Sequence, residues 1–378
     1  MNGRAVASAG SDESPADGTP PPRSGARAAV WRRWRRLVGR WRRLVHWEFW
    51  PPAAFYPPVV AYILWLGLKH RGLTVFTAAN PGIRDGGFIG ESKHAILTAL
   101  AGAGDAVAPH RLIEAGPPPD RLAALDAALG SIGVDYPIVL KPDVGQRGAG
   151  VRVVRDRDAA ARYLAEVGGP VIAQAFAPGL EFGVFYVRHP AEPRGRIFSI
   201  TAKELPTVTG DGRRTLRDLI LADDRAVCMI DAYAAAQAGR LDGVPAKGEV
   251  VPLVEVGTHA RGAIFRDGGW ARTEALEATI DRISRGVPGF YFGRYDLRTP
   301  SLADFMAGRN FRIVELNGVT AEATDIYDRR NGVVTAWRTL CRQWALAFAI
   351  GAAHRARGAR VTPLAELWRN VRAYEPID

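Results

Sequence analysis

The sequence predicts a mixed fold of the α/β (α+β) class. Short runs of apolar and branched residues, bounded by glycine or proline, have the length and composition of buried strands, as in Thr74–Ala79, Pro137–Leu140 and Val171–Phe176. Other segments carry the periodicity of helices, as in Ser92–Leu100 and Val334–Ala353. A chain of 378 residues can bury a substantial core, and we expect two or three lobes.

Positive charge is concentrated near the N-terminus. The formal net charge is +11. Nine arginines with no acidic residue among them account for most of it: Arg23, Arg27, Arg32, Arg33, Arg35, Arg36, Arg40, Arg42 and Arg43. The remaining chain is close to neutral, which argues against a generally basic, nucleic-acid-binding body. Cys228 and Cys341 stand alone, so neither a zinc site nor a disulfide scaffold is predicted, and a reducing cytosol is expected.

Residues 29–71 have the pattern of a membrane-associated segment, and residues 1–28 that of a disordered tail. Ala29–Trp47 predicts an amphipathic helix with tryptophans at three- and four-residue spacing and arginines elsewhere, which is typical of an interfacial helix. Packing of those tryptophans on the protein's own body and nucleic-acid binding are the alternatives. Phe49–Leu68 is uncharged, but prolines break its first half and only Val59–Leu68 is a clean helix. We therefore expect a monotopic or re-entrant anchor at the inner face of the cell membrane, with a single span as the alternative.

The stretch Tyr136–Val154 reads YPIVLKPDVGQRGAGVRVV and predicts a strand, a glycine-rich loop and a second strand. The first strand ends on Lys141, one of five lysines in the chain. The loop contains Gly145, Gly148 and Gly150, which would allow close approach of backbone N–H groups to a polyphosphate while the lysine supplies a point charge. An ordinary glycine-rich hairpin is the alternative.

Two later strands predict a cluster of polar side chains. In Phe290–Leu297 the alternation of a strand puts Arg294 and Asp296 on one face, and in Phe311–Gly318 it does the same for Glu315 and Asn317. If the strands are neighbours, these side chains converge. Oxygen ligands of this kind suit Mg²⁺.

These motifs, taken in order, resemble the ATP-grasp superfamily. The glycine hairpin is followed by GLEFGV, ITAKELP, GRYDLR and IVELNG, and the resemblance covers Tyr136–Asp328, about half of the chain. Within this superfamily, the motifs resemble those of D-alanine–D-alanine ligase-like and cyanophycin-synthetase-like domains. The resemblance implies an ATP-grasp fold in which two α+β lobes grip ATP, with a small N-terminal α/β lobe and a basic, hydrophobic N-terminal anchor. The implied division is a tail (1–28), an anchor (29–71), an N-terminal lobe (72–134), a glycine-loop lobe (135–178), a metal and catalytic lobe (179–332) and C-terminal helices (333–378).

The resemblance also implies roles for individual residues. ATP would be bound by Lys141, Gly145, Gly148, Gly150, Gln174, Ala175, Phe176, Glu181 and Lys203. Mg²⁺, as two ions and with Mn²⁺ as an alternative, would be bound by Asp296, Glu315 and Asn317. Arg294 and Lys203 would act catalytically by neutralising charge on a phosphorylated intermediate.

The implied function is ATP- and Mg²⁺-dependent ligation of a carboxylate to an amine, or to a thiol, through an acyl phosphate, with release of ADP and phosphate. An ATP-binding module without turnover and a small-molecule kinase are the alternatives. The partners are small-molecule substrates and a membrane surface, with no nucleic acid, and a homodimer is left open. Residues 318–328 lack the NxxPGxT pattern of D-alanine ligases, so D-alanine itself is in doubt. For His259 we expect a structural role, with the hydrogen bonds of its ring satisfied within the protein.

Overall fold

The structure, a computed structural model, describes residues 25–145, 148–255, 257–258 and 261–374. Residues 1–24, most of the predicted tail, and His259 lie outside this part. The α-helices within it are α1 (Ala26–Val45), α2 (Pro52–Phe55), α3 (Pro57–Lys69), α4 (Lys93–Ala99), α5 (Pro118–Ile132), α6 (Arg157–Glu166), α7 (Leu216–Ala222), α8 (Ile230–Ala236), α9 (Glu274–Gly286), α10 (Leu302–Met306), α11 (Val333–Ala356) and α12 (Leu364–Ala373).

The strands confirm the predicted mixture of helix and sheet. They are β1 (His110–Ile113), β2 (Ile138–Pro142), β3 (Arg152–Val154), β4 (Val171–Ala175), β5 (Leu180–Val187), β6 (Arg196–Glu204), β7 (Thr207–Thr209), β8 (Val250–Pro252), β9 (Ile264–Asp267), β10 (Phe292–Thr299) and β11 (Arg312–Asn317). Short 3₁₀ turns occur at Trp47–Phe49, Val75–Ala79, Arg84–Gly86, Ala101–Ala106, Ala226–Met229, Gly269–Ala271 and Thr324–Tyr327.

Three sheets organise these strands, and every pairing between them is antiparallel. One has the order β1-β4-β2-β3, a second the order β11-β10-β5-β6-β9, and β7 pairs with β8. The five-stranded sheet has one face packed against α9 and α10 through a large apolar cluster that includes Phe182, Tyr295 and Phe305. Its polar residues are therefore carried on the opposite face, as strand alternation requires.

Two compact units divide the described chain. The first joins the residues up to Trp50 with Pro206–Val254, and the second joins Pro51–Leu205 with the residues from Glu255 onward. The first unit contains α1, α7, α8 and the two-stranded sheet. The second contains both larger sheets, and all of the predicted site residues belong to it.

The stretch Thr74–Ala79 is not the strand that its composition suggests. Its last five residues form a fully buried 3₁₀ turn that packs against α11, where Gly351 leaves no room for a side chain: a Cβ there would lie 2.1 Å from the Val75 carbonyl oxygen. Burial and tertiary contact outweigh the local preference for strand. The next residue, Asn80, fixes the turn to the large sheet, because its amide accepts from the Phe292 N–H at 2.9 Å and donates to the Phe292 carbonyl at 2.7 Å.

The hydrophobic segment before this turn forms α3. One side of α3 is buried, with Val59 and Leu66 almost inaccessible, and Leu66 joins the apolar cluster that includes Phe348 of α11. Val60, Leu64, Trp65 and Leu68 are exposed. In the described part of the chain, no helix combines the length and apolarity needed to span a bilayer.

Candidate functional site

Ten of the thirteen predicted site residues line one open cleft of about 910 Å³, counted with the space at its mouth, in the second unit, whereas Gly150, Arg294 and Asn317 do not line it. The four-stranded sheet contributes Lys141 on β2 and the glycine loop between β2 and β3. The five-stranded sheet contributes charged side chains from its polar face: Glu181, Lys203, Asp296, Arg298 and Glu315. The sequence motifs, although spread over about 170 residues, therefore form one site.

Lys141 is a buried cation at the floor of the cleft. It is 5% exposed, and its Nζ donates to Gln174 Oε1 at 3.0 Å and to the Val314 carbonyl at 2.9 Å. Neither acceptor carries a charge. Burial lowers the pKa of Lys141 from 10.5 to about 8, and the Glu315 carboxylate only partly opposes this effect. A lysine held in this way is prepared for an anionic ligand.

A second charged group lies on β5, β6 and β10. Lys203 Nζ lies 2.8 Å from Glu181 Oε1 and 3.2 Å from Asp296 Oδ1. Arg294 Nε donates to the same Asp296 oxygen at 2.9 Å, and its NH2 group donates to Oδ2 at 3.2 Å. Burial opposes charge on both Lys203 and Asp296, but their attraction wins: the pKa of Lys203 is raised, while Arg294 and Lys203 lower that of Asp296.

The metal residues predicted from β10 and β11 are neighbours, as the alternation argument required. Asp296 lies opposite Glu315 in the antiparallel register, and Arg294 lies opposite Asn317. The Asp296 carboxylate is already paired with two cations, whereas the Glu315 side chain lines the cleft and the buried Asn317 Nδ2 has no hydrogen-bond partner. Carboxylate and amide oxygens fit Mg²⁺ chemically. Among the described residues there is no cluster of three or more His, Cys, Asp or Glu side chains arranged to hold a metal, so phosphate oxygens or waters would have to complete the shell.

Two of the three glycines in the hairpin are required, for two reasons. Gly148 and Gly150 have φ of +76° and +68°, a region that other residues rarely adopt. Space is also lacking: a Cβ on Gly148 would lie 2.7 Å from Thr258 Cγ2, and one on Gly150 would lie 2.6 Å from Pro142 Cγ. Gly145 has neither restriction, since its φ is ordinary and the nearest atom to a Cβ would be 3.8 Å away.

Thr258 and the nearby Arg261 contact this hairpin. Arg261 NH2 donates to the Gly148 carbonyl at 3.1 Å, and Gly257 lies close to the Glu181 carboxylate. Glu255, Gly257 and Thr258 line the cleft. Sequence reasoning singled out only His259 in this region, which lies outside the described residues.

The cleft also has apolar lining residues. Val139, Val153 and Phe176 line it, followed by Ala175 and Ala177 at the end of β4. This is a suitable environment for a flat apolar group such as a nucleobase. Gln174, predicted to bind ATP, uses its side chain to accept from Lys141 and to donate to the Val314 carbonyl at 3.3 Å. In this structure, its side chain therefore positions Lys141.

Two cations of the cleft were missed by sequence reasoning. Arg298 lies 3.4 Å from Glu181 Oε2, donates to the Ala177 carbonyl at 2.9 Å and stacks its guanidinium 5.6 Å from the Phe176 ring centre. The alternation that grouped Arg294 with Asp296 extends to Arg298, so the signal was present. Lys93 Nζ donates to the Gly145 carbonyl in the glycine loop; no local motif indicated that contact.

The start of α4, which contains Lys93, already holds an anion from the protein itself. Asp143 Oδ1 accepts from the His94 N–H at 2.8 Å and from the Ser92 hydroxyl at 3.0 Å. This carboxylate follows β2 directly. The contact therefore ties the glycine hairpin to α4 and uses the helix start for structure.

Beyond Asn317, the chain folds over the polar face of the large sheet. The Glu322 carbonyl accepts from Arg294 NH1 at 3.0 Å, and the Glu322 carboxylate accepts from the hydroxyls of Tyr56 and Tyr327. Thr324 and Thr201 exchange a hydrogen bond at 2.9 Å. Burial raises the pKa of Asp325 to about 7. Glu322 and Thr324 thus have partners within the protein.

Comparison with known proteins gives structural likenesses only. No protein-family model and no curated protein matches the chain. A bifunctional glutathione synthetase from Pasteurella multocida is 18% identical, with a TM-score of 0.36 over 66% of this chain and 35% of that one. The VanG D-Ala:D-Ser ligase from Enterococcus faecalis is 14% identical, with a TM-score of 0.38 over 68% of this chain and 61% of that one. The D-cycloserine synthetase DcsG is 17% identical, with a TM-score of 0.38 over 70% and 69%.

The chain thus spans about a third of the first of these proteins and less than two thirds of the second. All three are ligases or synthetases by name, the kind of enzyme that the motifs resemble. With TM-scores this low, the likenesses do not place the chain in a family. The case for a function rests on the residues of the cleft.

Proposed function

We propose that this protein is an ATP-dependent ligase of the ATP-grasp type that joins a carboxylate to an amine, or to a thiol, with release of ADP and phosphate. One observation carries the proposal: Lys141, Lys203, Asp296 and Glu315, from two different sheets, line one cleft together with the apolar side chains of Val139, Val153 and Phe176. A nucleotide presents the same two kinds of group, a flat base and charged phosphates. The division into lobes predicted from the sequence is part of this proposal.

In the proposed reaction, a substrate carboxylate oxygen attacks the γ-phosphorus of ATP, the bond to the β–γ bridging oxygen breaks, and ADP leaves. An amine nitrogen or thiol sulfur then attacks the acyl carbon, phosphate leaves, and the nucleophile loses its proton. Lys141 would hold the transferred phosphate and offset its charge. Lys203 and Arg294 would stabilise charge that develops on the equatorial oxygens.

Asp296, Glu315 and Asn317 would hold Mg²⁺ or Mn²⁺, as one ion or two, and the metal would supply charge neutralisation at the phosphates. Asp296 already forms ion pairs with Lys203 and Arg294. We therefore expect Glu315 to be the principal protein ligand of the metal. Gly145, Gly148, Glu255, Gly257 and Thr258, which line the cleft, would limit water at the acyl phosphate. Glu181 is proposed to accept from the ribose hydroxyls.

A membrane surface is proposed as the second partner. The supporting observation in the second unit is α3, which exposes Val60, Leu64, Trp65 and Leu68 while burying its other side. Lys69 follows directly, its ammonium 5.2 Å from the Trp65 ring centre. An apolar face with a cation at its edge suits a helix lying in the headgroup region. Deleting residues 1–71 would not test this cleanly, because it removes Val59 and Leu66 from the core.

The test of the ligase proposal is product analysis. Purified full-length protein is incubated with MgATP and pools of amino acids, small carboxylates, hydroxy acids, amines and thiols, and the nucleotide products are separated. We expect ADP and free phosphate only when a substrate pool is present, and loss of both in Glu315→Gln.

Other products would contradict the proposal in distinct ways. AMP with pyrophosphate would indicate adenylation of the carboxylate. ADP with a stable phosphorylated product would indicate a kinase. MgATP binding without turnover in any pool would favour a nucleotide-binding module.

A further inference from the structure

Helix α1 has three distinct faces. At about 100° per residue, Arg32, Arg35, Gly39 and Arg42 share one side, which contacts the rest of its own unit. A second side, here named the tryptophan stripe, consists of Val30, Trp34, Leu37, Trp41 and Leu44. The third side, here named the basic stripe, consists of Arg33, Arg36 and Arg40.

The contacting side is polar. Arg32 makes a two-pronged ion pair with Asp218, at 2.7 and 2.9 Å. Arg35 is 5% exposed and donates to the Leu221 and Ala222 carbonyls at the C-terminus of α7, at 2.6 and 2.9 Å. Those carbonyls have no partner within their own helix, so a buried guanidinium satisfies them.

Backbone contact is also close on this side. A Cβ at Gly39 would lie 2.7 Å from the Val227 carbonyl oxygen, so the helix lies directly on the Ala226–Met229 turn. Arg42 adds an ion pair to Asp224 at 2.7 Å. The orientation of α1 within its unit is therefore fixed by directional contacts.

This orientation is the reverse of that of an ordinary surface helix. The five side chains of the tryptophan stripe are each between 52% and 67% exposed. Water-soluble proteins usually turn such a stripe toward the core, with arginines outside. Leaving two tryptophans, two leucines and a valine in water along one helix forgoes a large hydrophobic contribution, so a contiguous apolar face of this kind indicates a binding surface.

The basic stripe adjoins the tryptophan stripe along its whole length, and its three arginines are exposed. From these faces we infer that α1 binds the interface of an anionic lipid bilayer, with the tryptophan stripe among the upper acyl chains and the basic stripe against headgroup phosphates. Tryptophan is suited to this depth because its ring is apolar and its N–H is polar. The inference names the partner chemistry of the proposed membrane association and does not depend on the ligase chemistry.

Two other partners fit the faces less well. Nucleic acid would use the arginines, but it would leave Leu37, Leu44 and Val30 in water. A second copy of the chain could cover the tryptophan stripe, but a symmetric contact through α1 would give the basic stripe no acidic partner, because α1 contains no Asp or Glu. An anionic bilayer satisfies both stripes at once.

The experiment is vesicle flotation of the full-length protein on neutral phosphatidylcholine and on mixtures with phosphatidylglycerol. We expect binding to the anionic vesicles, loss of much of it in about 1 M salt, and weak binding to neutral vesicles. Trp34→Ser with Trp41→Ser should weaken binding by at least about tenfold. The matched control is Trp270→Ser with Trp368→Ser, which removes two tryptophans of similar exposure, 59% and 55%, and should leave binding unchanged.

The charge is tested in the same way. Arg36→Gln with Arg40→Gln should weaken binding to anionic vesicles by about 25-fold, since each basic residue near such a surface strengthens binding about fivefold. Arg194→Gln with Arg338→Gln, which removes two exposed arginines elsewhere, should have no effect beyond the small change in net charge.

Several results would overturn the inference: no flotation with any vesicle, equal binding to neutral and anionic vesicles, or equal losses in the matched controls. A dimer in light scattering that becomes a monomer in the tryptophan variant would assign the stripe to a second copy instead. Titration of MgATP against the same proteins separates the two proposals. Vesicle binding without nucleotide binding would refute the ligase, and nucleotide binding without vesicle binding would refute the membrane surface.

Discussion

Lys141 provides the sharpest test of the cleft, because its substitution should change stability and ligand binding in different ways. The lysine is 5% exposed, and burial lowers its pKa from 10.5 to about 8. This difference corresponds to roughly 3 kcal/mol of destabilisation when Lys141 is charged at neutral pH. Lys141→Met removes that cost, but it also removes the donor to Gln174 and Val314, at a cost of about 1 to 3 kcal/mol. The two changes nearly cancel, so the variant should fold with near-normal stability at about pH 7.

The pH dependence of the free energy of unfolding shows whether these two effects really offset each other or whether the substitution simply has no effect. Because the folded-state pKa lies below the unfolded one, the unfolded chain binds more protons between pH 8 and pH 10.5, and the free energy of unfolding contributed by Lys141 rises across that window. From about pH 7 to about pH 9.5 the gain is about 2 kcal/mol in the native protein. The variant Lys141→Met should not show this gain. Urea unfolding at a series of pH values, with Lys247→Met as the exposed-lysine control, measures the difference.

Nucleotide binding, unlike stability at about pH 7, should be clearly weakened in Lys141→Met. Loss of a charged phosphate contact should weaken MgATP binding by at least about tenfold, measured by titration calorimetry at about pH 7. Two results would refute the reasoning. A stability difference between native protein and variant that does not vary with pH would mean that Lys141 is not desolvated. Unchanged MgATP affinity would mean that the phosphates bind elsewhere.

Three further predictions concern the rest of the cleft. Glu315→Gln should keep its fold and lose metal-dependent ATP turnover, while the exposed Glu114→Gln should keep it; activity of Glu315→Gln at ordinary Mg²⁺ would exclude the metal role. Gly148→Ala should lower the free energy of unfolding by about 1 to 2 kcal/mol and weaken MgATP binding, because a positive φ and the Thr258 methyl both oppose a Cβ, while Gly145→Ala should be tolerated. Equal effects at the two glycines, in thermal melts and nucleotide titrations, would contradict that difference. Asp296→Ala should cost about 3 to 5 kcal/mol, because it leaves the buried Arg294 without its ion-pair partner and the buried Lys203 with Glu181 alone; a loss under 1 kcal/mol in urea titration would show that water reaches them.

Much of the secondary structure was predictable from the sequence because its signals are local. The lysine strand, its glycines and the paired strands around Asp296 and Glu315 were placed correctly, since strand alternation depends only on the order of neighbouring residues. The same rule reaches Arg298. Thr74–Ala79 failed because its conformation is set by burial against α11, which no local pattern encodes.

By itself, the sequence determined which chemical groups the protein has: five lysines, two of them on strands in ATP-grasp-like motifs, an R-x-D and an E-x-N pair, and a helix of tryptophans and arginines. Only the tertiary structure decided how those groups are used. Gln174 serves Lys141, Asp143 occupies the start of α4, and the arginine side of α1 contacts its own unit while its tryptophans face outward. The reason is physical. A periodic pattern shows that a helix has two kinds of face, but which face lies inside depends on the acids and carbonyls that distant residues present to it.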